Sequence, residues 1–125
     1  MAGNTTASGA VHYRWEDLDE DAPLERLTRR RVVGQQAMIA RVQLRQGCDV
    51  KTHSHANEQL AVVLSGRMRF GVGVEGSPQR QDIIVSAGEV LHLPVNVAHS
   101  AFALEDSLIL DIFSPPSQKT GIDRK

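Results

Sequence analysis

Thr52-His53-Ser54-His55-Ala56-Asn57-Glu58-Gln59 decides how this chain is read, together with His99, forty residues beyond Gln59. Two imidazoles at positions i and i+2 of an extended segment project to one side, because side chains alternate faces along a strand. Imidazole is the commonest side-chain metal ligand. His53-x-His55 is therefore half of a metal site, and what completes it sets the function.

Working outward, the dominant period is two. Met38, Ala40, Val42 and Leu44 alternate with Ile39, Arg41, Gln43 and Arg45, a half-buried strand closed by Gly47. Met68, Phe70, Val72 and Val74 alternate with Arg67, Arg69, Gly71 and Gly73. Further short strands are expected over 12–15, 59–64, 83–85, 90–93, 99–103 and 107–113, separated by Gly and Pro turns. About nine short strands without a helix indicate an all-β sandwich or barrel. The acidic stretch Glu16–Asp21 reads as a loop with one helical turn, and Arg29-Arg30-Arg31 as a solvated strand or turn. Residues 1–10 are small and polar and read as a flexible tail, 11–116 as a single domain, and 117–125 as a polar C-terminal tail.

Composition removes several function classes. A chain of 125 residues supports one core. Its formal net charge is −1 with both signs interspersed, so it carries no nucleic-acid stripe. No apolar run approaches the roughly 18 residues of a membrane span, and no signal peptide is read. Cys48 is the only cysteine, which excludes an internal disulfide and suits the cytoplasm. Asp111 stands amid Leu108, Ile109, Leu110, Ile112 and Phe113, where an unpaired carboxylate costs stability, so a functional role is expected for it.

The spacing Gly47-x5-His53-x-His55-x3-Gln59-x6-Gly66, followed by Gly88-x5-Pro94-x-Asn96-x2-His99, resembles the two motifs of the cupin superfamily. That resemblance implies a double-stranded β-helix, or jelly-roll barrel. It also implies a divalent transition metal (Ni, Zn, Fe, Mn or Cu) held by His53, His55, the residue at 59 and His99. Asn96 stands where a glycine is usual, and Asn is the next residue most tolerant of positive φ. Gln59 stands where a glutamate is usual. Glu58 is the alternative ligand, but 53, 55 and 59 share a parity that 58 does not. Gln59 is therefore expected to bind through its amide oxygen. A neutral ligand leaves the metal its full charge, favouring Lewis-acid chemistry on an anionic substrate over high-valent oxidation.

Within the superfamily the chain is similar to the KdgF-type proteins, which open 4,5-unsaturated uronates to linear ketones. The likeness lies in His53-Ser54-His55 with Glu58-Gln59, in Leu93-Pro94-x-Asn96-x-x-His99, and in Asp111-Ile112-Phe113-Ser114-Pro115-Pro116. It implies that Asp111 and Phe113 line the pocket, Asp111 as acid/base and Phe113 against the sugar. An arginine often follows the two prolines in that branch; here the position is Ser117, and Arg41, Arg67 and Arg69 are the candidate carboxylate partners. The expected function is non-redox ring opening of a small anionic sugar. A cupin dioxygenase and a non-catalytic small-molecule-binding cupin are the alternatives. Small cupins usually pair, and the apolar residues on both faces of 108–113 suit a homodimer.

Overall fold

The computed structural model describes residues 3–120 and 122. Its strands are β1 Gly3–Thr5, β2 Val11–Tyr13, β3 Asp21–Leu24, β4 Leu27–Val33, β5 Met38–Leu44, β6 Asp49–His53, β7 Glu58–Ser65, β8 Arg67–Val72, β9 Gln81–Ser86, β10 Val90–Leu93, β11 His99–Ala103 and β12 Ser107–Ser114. A 3-10 turn over Trp15–Asp17 is the single helical turn expected of the acidic stretch.

A six-stranded sheet runs β10-β7-β12-β5-β4-β3 and a four-stranded sheet β6-β11-β8-β9; β1 and β2 form a separate hairpin. All strand pairs are antiparallel, and the two large sheets make the β-sandwich of a jelly roll. Alternation builds the core. Met38, Ala40, Val42 and Leu44 of β5 point in, and Ala61 and Val63 of β7 lie beside Ile109 and Phe113 of the neighbouring β12 on the same inner face. Met68 and Phe70 come from the opposite sheet, so both inner faces contribute to one apolar layer. At the β7–β8 turn Gly66 has φ of 87°, and a Cβ there would lie 2.3 Å from Ser107 Oγ, so no other residue fits. Asn96 takes φ of 64°, as its place in the second motif requires.

Three expectations need correction. Residues 3–5 belong to a strand, paired with Val11–Tyr13, because their backbone groups find a partner ladder. Arg29-Arg30-Arg31 is not a solvated run: β4 lies within the six-stranded sheet, and Arg29 is 3% exposed. The parity that buries Leu27 carries Arg29 to the same face, and Asp21 accepts two of its hydrogen bonds, at 3.1 and 2.7 Å. The polar C-terminal tail is also not all solvated, since Thr120 is buried and Ile122 packs in the core. Residues 1, 2, 121 and 123–125 of the two tails lie outside the described residues.

Candidate metal centre

His53 closes β6, His55 stands two residues beyond it, Gln59 is the second residue of β7 and His99 the first of β11. The expectation of two histidines on one strand is met in part, since the strand ends at His53. β6 and β7 belong to opposite sheets, and residues 54–57 carry the chain across the barrel with His55 among them. Register supplies the rest: His99 is opposite His53, and Phe113 is opposite Gln59. The imidazole centroids are 4.4 Å apart for His53 and His99, 5.2 Å for His55 and His99, and 5.7 Å for His53 and His55. One nitrogen from each ring lies within 4.8 Å of the other two, so the three could hold a metal ion.

The hydrogen bonds fix how these rings present themselves. Nδ1 of His53 is 2.7 Å from the Lys51 carbonyl, Nδ1 of His55 3.0 Å from that of Asn57, and Nδ1 of His99 2.9 Å from that of Val97. A carbonyl only accepts, so each Nδ1 carries the hydrogen and each Nε2 is left with a lone pair. Gln59 is oriented as firmly. Its amide N–H donates to Asp111 Oδ1 at 2.9 Å, and its Oε1 lies 3.1 Å from His55 Nε2. Two acceptor atoms so close together suit a shared cation, which is the test that a metal fits these residues. Three imidazole nitrogens and an amide oxygen accept most first-row divalent ions.

Burial tunes the titrating groups. His99 is lowered to about 4 by desolvation, against the Val97 carbonyl and reinforced by His53 and His55, so it is a neutral imidazole near pH 7. Asp111 is 3% exposed, and burial pushes its carboxyl up to about 7, while the Gln59 hydrogen bond and the Arg29 charge hold it down. Near neutral pH it populates both protonation states, as a proton carrier must. Phe113 stands edge-on to His55, centroids 5.6 Å apart. His53, Gln59, His99, Asp111 and Phe113 together line an inner cavity of about 30 Å³. A wider groove of about 1270 Å³ between β3, β4 and the 106–108 segment contains none of them.

Parity separates the remaining candidates. Glu58 faces outward, with its carboxylate 2.7 Å from Nε2 of His92, and the two make an exposed pair away from the inner cavity. None of the three candidate arginines lines the inner cavity: Arg41 alternates with buried Ala40 and Val42, Arg67 is exposed beside Glu105, and Arg69 lies over the Phe102 ring. Sequence reasoning missed Arg29 and Arg31. Their signal was a shared parity with Leu27, masked by Arg30 between them.

The cupin domain model matches residues 40–113, more than half of the chain. The protein is a cupin. Among solved structures, an RmlC-like cupin from Shewanella frigidimarina superposes with a TM-score of 0.77 at 18% identity, over 94% of this chain and 97% of the other. KdgF from Halomonas sp. superposes at 0.66 with 28% identity, over 82% of this cupin and 92% of KdgF. Oxalate decarboxylase from Lactobacillus farciminis, in complex with formate, matches at 0.75 with 18% identity over 86% of this chain, which spans 33% of that one. At such identity the first and third show the fold alone. No curated protein sequence matches the chain. Among the described residues no helix is long and apolar enough to cross a membrane.

Proposed function

We propose that this cupin is a metal-dependent enzyme that opens the ring of a small anionic sugar, a 4,5-unsaturated uronate, without net oxidation. The observation that carries this reading is Gln59, held between His55 and the buried Asp111. His53, His55, Gln59 and His99 would hold the divalent ion, through three Nε2 atoms and Oε1. When bound, the ion supplies Lewis-acid stabilisation of an enolate oxygen. Asp111 takes the proton of the anomeric hydroxyl as the C1–O bond to the ring oxygen breaks, leaving an aldehyde and an enolate. It then returns the proton to C4, giving the ketone, so no proton or electron is gained or lost. Phe113, two residues along β12 and therefore on the same face, packs against the ring and excludes water. The 28% identity with KdgF and the resemblance of Gln59, Asp111 and Phe113 to the KdgF-type pattern support the substrate class.

The outer face of the six-stranded sheet supports a homodimer. Leu110 is registered beside Val62, Ile112 beside Leu60, and Val90 beside Val62, which makes a continuous apolar patch. Leu60 is 36% and Val90 57% exposed.

The deciding experiment is to load the protein with each first-row divalent ion and follow the ultraviolet absorbance of unsaturated galacturonate and guluronate. Loss of the alkene signal with no oxygen uptake is expected. Oxygen consumed in step with substrate would replace this reading with a dioxygenase.

A further inference from the structure

The inner cavity is closed by the chain's own end. After β12, Pro115 and Pro116 turn the backbone, and Thr120 and Ile122 come back to line the cavity beside His53, His99 and Asp111. What remains, about 30 Å³, holds a water or two, whereas ligand pockets run to roughly 300–1,000 Å³. A sugar does not fit this cavity while the strap is in place, although His53 and His55 are themselves partly exposed.

On the other side of the strap lies a cleft of about 810 Å³, lined by Arg29, Arg31, Leu18, Met38, Pro116 and Gln118. Arg31 donates to the backbone carbonyl of Gln118 at 3.3 Å and lies 3.7 Å from Asp21. It also shares a row with the site: Arg31 is opposite Ala40, Ala40 opposite Asp111, and Asp111 opposite Ala61. β4 and β12 are two strand spacings apart, about 9–10 Å, which puts the guanidinium and the carboxyl on one wall of the barrel. The strap thus lies between the histidine-lined cavity and a cleft in which Arg29 and Arg31 stand among the carboxylates of Asp17, Asp19 and Asp21.

We infer that residues 117–120, with Ile122, form a strap that exchanges with the substrate, and that Arg31 is the partner of the substrate's carboxylate. In the closed state the Gln118 carbonyl stands where a carboxylate oxygen would sit, and Thr120 and Ile122 stand where the sugar ring would sit. Binding releases Gln118 from Arg31 and joins the two spaces into one. A guanidinium offers a carboxylate two parallel donors and a carbonyl only one acceptor, so the exchange favours the anion. The choice of a uronate rests on the proposed function; the sealing of the cavity does not.

The strap contains one trypsin site, Lys119, and cleavage there requires the segment to leave its seat. The full-length, metal-loaded protein is digested with and without saturated galacturonate, which carries the carboxylate but cannot react. Ile122→Ala is expected to cut after Lys119 at least about tenfold faster than the parent with no sugar present. Thr120→Gln, whose longer side chain overfills the cavity without adding a trypsin site, gives the same result if Ile122→Ala folds poorly. Galacturonate should accelerate cleavage of the parent and fail to do so in Arg31→Gln, whose KM for the unsaturated uronate rises roughly 10- to 100-fold with little change in kcat. Cleavage in both strap variants no faster than in the parent overturns the seal. Galacturonate that binds by calorimetry while slowing cleavage, or leaving it unchanged, overturns the exchange. A protein whose strap variants open but which binds no galacturonate overturns the role of Arg31. If the opened protein leaves unsaturated uronates unchanged, the proposed function fails and the seal stands.

Discussion

The amide of Gln59 gives its hydrogen to Asp111 and its oxygen to the histidine cluster, and this bond of 2.9 Å fixes the polarity of the whole site. A glutamate at 59 has no N–H to give. Gln59→Glu would set a second carboxylate against Asp111, so the two would share a proton or repel. Metal affinity should rise, because an anionic oxygen replaces a neutral one, while kcat/KM for uronate ring opening falls roughly 10- to 100-fold with the lost charge-assisted bond. Titration with a divalent ion and steady-state kinetics check the two halves. Activity equal to the parent would mean that the neutral ligand has no role.

Asp111→Asn is nearly isosteric and keeps an oxygen for the Gln59 N–H, so the metal should remain. Proton transfer is lost, and kcat should fall by about 10²–10⁴. Full turnover with unchanged metal content would remove Asp111 from the mechanism.

How much of this was legible in the sequence follows from what each signal encodes. Motif spacing and a period of two carried the jelly roll and the meeting of His53, His55, Gln59 and His99, since turn glycines and strand parity are local properties. Parity also separated Gln59 from Glu58, which the structure turns outward. β4 was harder to read, because three consecutive arginines look solvated unless Asp21 is known to face Arg29 across the β3–β4 pair. The strap was not legible at all. Thr120 and Ile122 lie in a polar stretch without periodicity, and only the barrel's open mouth gives them somewhere to be buried.

The pH dependence of the metal-free protein separates the two buried titrating groups. His99 is about 4 when folded against 6.5 when unfolded, so the unfolded state binds the extra proton and stability rises with pH between these values. Asp111 is about 7 when folded against 3.8, so the folded state binds the extra proton and stability falls between those values. Each shift corresponds to about 3–4 kcal/mol. Between pH 4 and 6.5 the two slopes oppose one another, and their sum is close to flat. Metal-free Asp111→Asn keeps only the His99 contribution, so relative to the parent its stability should climb across that window. Urea unfolding at pH 4, 5 and 6.5 measures the difference; parallel curves for the two proteins would show that Asp111 is ionised in the fold.

The homodimer can be tested through the outer face of β12. Leu110 points away from the core, which holds Ile109 and Asp111, and it is flanked by Val62 on β7. A charge placed there costs little in a monomer, since surface substitutions usually fall within about 0.5 kcal/mol. In a dimer it would be buried without a partner and would cost several kcal/mol, enough to shift association by roughly a hundredfold or more. Leu110→Glu should therefore sediment as a monomer at concentrations where the parent sediments as a dimer, with its circular dichroism unchanged. A parent that is monomeric at all concentrations, or a variant that still pairs, would move the interface off this face.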